Sequence, residues 1–212
     1  MKHLNGNILA VVDVETTSPD PEFGEIIEVC VLPLNHHAEP NKKITPFSMD
    51  ICPVNRDNID MDAIRVQRAD YFHEREKCVY DKARILQALT TGVDADRAAD
   101  YLVEWFDRLK LPNHKRIMPI AHNWCFDRDF LIKWLGRKTF DLIFDPRYRD
   151  TMCNTLYEND VACWQERDYP YQKNNLQYVC TTLRIERERS HRALDDCIAT
   201  AEVYRKMLQH TI

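Results

Sequence analysis

At 212 residues the chain is long enough for one well-buried core and not comfortably long enough for two. Its 44% hydrophobic and 30% charged residues make an ordinary globular balance, which excludes wholesale disorder and collagen-like repeats. A formal net charge of −5 excludes coating nucleic acid by blanket neutralisation of phosphates, although carboxylates that hold divalent cations could still bind phosphate through the metal.

The branched apolar run from Ile8 to Val12 stops at Asp13 and reads as a buried strand. Ser18-Pro19-Asp20-Pro21 forces a turn. Ile26 to Leu34 makes a second strand, closed by Pro33 and a His36-His37 loop. Phe47 to Cys52 makes a third, ended by Pro53. From Asp96 to Leu109 the period is helical, with Ala98, Leu102, Trp105 and Leu109 on one face, and Pro112 ends it. Ile117 to Ala121 reads as another strand and Asp127 to Leu135 as the helix after it. The stretch from Asn154 to Lys173 carries Tyr157, Trp164, Tyr169 and Tyr171 without a clear period. It is expected to be a structured loop with its aromatics tucked against the core, the alternative being a platform for stacking bases. In the final helix Leu194, Ile198, Ala201, Tyr204 and Leu208 share a face. Strands first and helices alternating later predict a single α/β domain over residues 1–212, with its core at about 8–208.

No apolar run approaches the roughly 18 residues of a membrane-spanning helix, and the start from Met1 to Asn7 is too polar for a secretory signal. The eight cysteines, at 30, 52, 78, 125, 153, 163, 180 and 197, form no CxxC pair. They are expected to be reduced thiols in a cytoplasmic protein, without a zinc knuckle or disulfide scaffold.

Three clusters carry chemistry. Asp13-Val14-Glu15 sits at the end of the first strand, where residues two apart point to the same face. The paired charges are either solvated or relieved by a divalent cation with oxygen ligands. His122-Asn123-Trp124-Cys125-Phe126-Asp127 lies between a strand and a helix. There Asp127 either caps the helix or joins a site, while a zinc pair of His122 and Cys125 lacks a second pair at suitable spacing. His191-Arg192-Ala193-Leu194-Asp195-Asp196 opens the final helix. His191 is either a surface histidine or a general base for activating water. Arg184, Arg187, Arg189 and Arg192, diluted by Glu186 and Glu188, form either a solvated charged loop or a patch that steers a strand.

In chain order these clusters read DxE, HNxxFD and HxxxxD. This order resembles the DEDD superfamily of 3′-to-5′ exonucleases, and within it the histidine subgroup (DEDDh) that includes RNase T. The first motif resembles Val12-Asp13-Val14-Glu15-Thr16-Thr17 followed by Glu25-Ile26-Ile27-Glu28. The second resembles Ala121-His122-Asn123 with Phe126-Asp127 and Leu131, and the third His191-Arg192-Ala193-Leu194 with Asp196. Weaker likenesses occur at Arg149-Asp150-Thr151 and at Leu176-Gln177-Tyr178-Val179-Cys180. Relatives with tyrosine for histidine carry it four positions before the last aspartate, and that position here is Arg192. The same spacing favours Asp196 over Asp195. Ser18 stands where a glycine often follows the paired threonines.

The resemblance implies an RNase H-like fold, a mixed five-stranded sheet flanked by helices. It implies two Mg²⁺ or Mn²⁺ ions held by Asp13, Glu15, Asp127 and Asp196, with His191 as the base. It further implies a single-stranded DNA or RNA 3′ end as substrate, DNA favoured, seated at Thr16 and Thr17 with Asn123 near sugar or phosphate, and nucleoside 5′-monophosphates as products. Two rival readings are an oligoribonuclease-like hydrolase of short RNA or dinucleotides and a non-catalytic nucleic-acid-binding or scaffold domain.

Overall fold

The computed structural model describes residues 6–55, 59–60, 64, 89–187 and 192–210, the side chain of His210 excepted. Its strands are β1 (Ile8–Thr16), β2 (Ile26–Pro33), β3 (Phe47–Cys52), β4 (Val93–Asp94), β5 (Ile117–Ala121) and β6 (Arg149–Asp150). Its helices, numbered among the described residues, are α1 (Ala95–Arg108), α2 (Trp124–Ile143), α3 (Thr151–Trp164), α4 (Leu176–Thr182) and α5 (Ala193–His210).

The strands form one sheet in the order β4-β3-β2-β1-β5-β6. β1 runs antiparallel to β2 and parallel to β5, and β6 extends the parallel side. Alternation along the central β1 sorts its side chains between two layers. Ile8, Ala10, Val12 and Val14 join a core with Ala98, Leu102 and Trp105 of α1 and Trp124, Phe130 and Leu131 of α2. Leu9 and Val11 pack on the opposite face with Cys30 and Leu32 of β2 and Ala193, Cys197, Ala201 and Tyr204 of α5. Tyr171 and the α4 residues Val179 and Cys180 cover the remaining side of α5, against Ala199, Val203 and Met207.

The mixed sheet flanked by helices agrees with the RNase H-like expectation, but it has six strands among the described residues. β4 and β6 are two residues each, too short to carry a period. β1 runs past Asp13 to Thr16, because its antiparallel ladder with β2 continues through Glu15↔Glu28 to Thr16↔Ile26. α2 begins at Trp124, and its predicted end at Leu135 meets Gly136, whose φ of 72° and ψ of 148° interrupt the helix before it resumes. That backbone is open almost solely to glycine.

Two expectations are corrected. The aromatic stretch is helical as far as Trp164, and its buried positions Thr151, Thr155 and Ala162 are too small and polar to show a hydrophobic period. Only Tyr171 is tucked into the core, while Tyr157, Trp164 and Tyr169 are exposed. In α5 the inward face is turned in part from the predicted one: Ala201 and Tyr204 are buried as expected, but Ile198 and Leu208 are exposed, and Asp196, Cys197, Thr200 and Val203 are buried. Leucine and isoleucine mislead here because the face beside β1 is filled largely by Ala193, Cys197 and Ala201, with Tyr204 the one large side chain. No helix among the described residues is long and apolar enough to cross a membrane. No described cysteine is disulfide-bonded, and Cys78 lies outside the described residues.

Candidate functional site

The row Leu9, Val11 on β1 continues as Asp13 and Glu15, so both carboxylates face the layer of α5. Burial of Ala193 and Cys197 against that row fixes the rotation of α5 and brings Asp196 to the same place. One ligand oxygen each from Asp13, Glu15 and Asp196 lies within 4.8 Å of the others, and Asp195 is outside this group.

Asp13 Oδ2 is buried and has no hydrogen-bond partner among the described residues. Desolvation by burial, then the charges of Asp127, Asp196 and Glu15, push the Asp13 carboxyl well above its usual range. Across the β1–β2 ladder Glu15 stands opposite Glu28, a like-charge pair that is destabilising by itself. Glu28 is buried and meets Arg192 at 3.1 Å, which relieves one half of the pair. An orphaned buried oxygen among three more acids fits a hard divalent cation with oxygen ligands.

Asp127 enters from the other layer. The β1–β5 ladder ends at Val11↔Ile120, and Asp127 in the first turn of α2 takes up the backbone beyond it, accepting from Val14 N at 3.1 Å. Burial raises the Asp127 pKa, and the Val14 amide bond opposes that shift.

A residue that was only a weak likeness in the sequence holds this end of the sheet together. Asp150 Oδ1 accepts from Asn123 N at 3.1 Å, Met152 N at 2.9 Å and Cys153 N at 3.3 Å, and Oδ2 accepts from Trp124 N at 2.9 Å. One buried carboxylate therefore caps both α2 and α3, and Asn123 takes up the left-handed backbone (φ 83°, ψ 56°) without capping by its own side chain. The signal available was an aspartate immediately before a helix at the end of a short strand. Asp150→Ala is expected to cost about 2–4 kcal/mol in urea unfolding, from two lost caps and newly unsatisfied amides. An unchanged midpoint would show that these amides find other partners.

His122 is half-buried, and its Nε2 donates to the Asn174 carbonyl at 2.7 Å while Nδ1 lies 2.9 Å from Thr151 Oγ1. Burial holds its pKa below the usual histidine value. With both nitrogens engaged it is a strut and not a zinc ligand. Thr16 and Thr17 are buried beside Glu15: Thr16 Oγ1 donates to Ser18 O at 2.8 Å, Thr17 N donates to Glu25 O at 2.9 Å, and Thr17 Oγ1 accepts from Glu25 N at 2.9 Å. Of the four arginines, Arg187 pairs with Asp196 and Arg192 with Glu28, so a solvated charged loop describes neither. Arg189 and His191 lie outside the described residues.

Residues 119–204 match the model of the RNase_T family, described as exonuclease. No curated protein sequence matches the chain. Among solved structures the chain is similar to cell-death related nuclease 4 (CRN-4), with a TM-score of 0.64 and 15% identity, covering 96% of this chain and 64% of that one. It is similar to the nuclease domain of 3′hExo, a DEDDh family member bound to rAMP, with a TM-score of 0.63 and 15% identity, covering 96% of this chain and 92% of that one. A third likeness is to E. coli exonuclease I in complex with a dA16 oligonucleotide, with a TM-score of 0.60 and 14% identity, covering 94% of this chain and 40% of that one. The chain thus spans under two thirds of CRN-4 and of exonuclease I. The family match thus takes in α2, α3, α4 and most of α5, and the solved nuclease structures share the fold of the chain.

Proposed function

We propose that the protein is a 3′-to-5′ exonuclease that releases nucleoside 5′-monophosphates from single-stranded nucleic acid, DNA ahead of RNA. The observation that carries this reading is the unpartnered, buried Asp13 Oδ2 in a group with Glu15 and Asp196. The ligands of the neighbours support it: rAMP on 3′hExo and dA16 on exonuclease I.

Asp13, Glu15 and Asp196 would hold one divalent cation and Asp13 a second, with Asp127 contributing directly or through water. Mg²⁺ or Mn²⁺ suits an all-oxygen donor set. Bound there, two such cations supply neutralisation of phosphodiester charge and a lowered pKa for water. The chain's own groups do the rest. His191 takes the proton of the attacking water on an imidazole nitrogen. Asn123 contacts the sugar or phosphate of the terminal nucleotide, and Thr16 and Thr17 shape its seat. The water oxygen bonds to phosphorus as the P–O3′ bond breaks, the penultimate nucleotide keeps the 3′ oxygen, which takes a proton from solvent, and the terminal nucleotide departs with its 5′ phosphate.

The test is digestion of 3′-labelled and 5′-labelled DNA and RNA strands beside dinucleotides. Stepwise loss from the 3′ end, abolished by EDTA and restored by Mg²⁺ or Mn²⁺, is expected. Full activity in EDTA, or cutting of a circular single strand, would overturn the reading. Cleavage confined to dinucleotides would favour the short-substrate rival.

A further inference from the structure

Asp196 already has a cation against it. Arg187 donates to Asp196 Oδ1 from Nε at 2.9 Å and from Nη2 as well. Its Nη1 donates to Gln177 Oε1 of α4 at 3.2 Å. The two side chains are 5% and 8% exposed, so the pair is sealed from water. Removing either partner of such a pair leaves an uncompensated buried charge.

The site is therefore asymmetric. On the β1 side Asp13 presents an oxygen without a partner, and on the α5 side Asp196 is held by a guanidinium. A guanidinium and a divalent cation repel each other strongly at contact distance in a medium shielded from water. At Asp196 Oδ1, which accepts both Arg187 bonds, the guanidinium and a divalent cation exclude each other. Arg187 lies in the segment between α4 and α5, beside Ile185, which packs on the α4–α5 core. The formal charges also balance: four carboxylates offset two divalent cations, and an arriving phosphodiester brings one further negative charge.

We propose that Arg187 is a stand-in cation that holds Asp196 until a divalent cation takes the carboxylate, and that the released guanidinium then pairs with a phosphodiester of the strand. This goes beyond the exonuclease reading and rests on its metal site. Arg187 thereby makes cation and strand binding assist each other, because the strand gives the displaced guanidinium a new partner. Removing the guanidinium should tighten cation binding and weaken strand binding together. A purely structural arginine would not split the two in opposite directions.

The experiment measures Mn²⁺ binding by electron paramagnetic resonance without nucleic acid, then KM and kcat on a single-stranded oligonucleotide with Mn²⁺. For Arg187→Gln, Mn²⁺ binding should tighten within the usual span of site coupling, about 5–150-fold. KM should rise by a similar factor while kcat changes little. Arg187→Lys keeps a charge beside Asp196 and guards against misfolding, and it should show a smaller change of the same sign in both. Equal or weaker Mn²⁺ binding in both variants overturns the proposal, as does an unchanged KM. If Asp13→Asn abolishes Mn²⁺ binding to the otherwise unaltered protein, the metal reading stands whatever Arg187 does. If Asp13→Asn leaves Mn²⁺ binding intact, the metal reading itself falls, and the proposal with it.

Discussion

Asp13→Asn is expected to lower exonuclease activity by at least about 10³-fold, the worth of several kcal/mol of transition-state charge stabilisation. The same change should raise the melting temperature in metal-free buffer near neutral pH. Burial, with Asp127, Asp196 and Glu15 nearby, holds the folded Asp13 pKa well above 3.8. Between the unfolded and folded values the native state binds more protons than the unfolded one, so stability falls as pH rises through that window. The penalty is absent below the unfolded value of 3.8 and complete above the folded one. Asparagine cannot ionise and should remove that part of the decline. Thermal unfolding in EDTA across pH 4–8, with mononucleotide release measured in parallel, checks both halves. Wild-type activity, or a pH profile of stability identical to wild type, would sink the assignment.

His191→Ala should cost roughly 10²–10⁴ in rate, the usual contribution of a positioned acid–base group. A base must be neutral to accept a proton, so wild-type activity should climb with pH through the histidine pKa, ordinarily about 6.5. The variant should lose that acid limb and still bind Mn²⁺, because the imidazole is not among the proposed ligands. Rate–pH profiles for both proteins, with Mn²⁺ binding measured separately, test this. A His191→Ala enzyme at near wild-type rate would assign the proton to another group.

The sequence made the central strands readable because β1 and β5 are uninterrupted runs of apolar residues, and strand alternation predicts that Asp13 and Glu15 share a face. What it hid has physical causes. α3 packs through Thr151, Thr155 and Ala162, so its inward face carries no large apolar residue. The rotation of α5 follows from how closely Ala193 and Cys197 approach β1 and β2, a tertiary constraint invisible to periodicity. Arg187 pairs with Asp196 nine residues on, and Arg192 with Glu28 164 residues away, so neither pairing has a spacing rule. Asp150 was hidden for a different reason: its partners lie on two separate helices, whereas a local capping signal reports only one.

That double grip has a consequence for motion. Because Asp150 is bonded to the first amides of both α2 and α3, neither helix can fray at its start without disturbing the other. The amides of Asn123, Trp124, Met152 and Cys153 should therefore exchange with solvent deuterium as one cooperative unit. Asp127 rides on the same α2 turn and also tethers the Val14 amide, so the unit extends into the central strand. Solvent should reach these four amides through one collective opening.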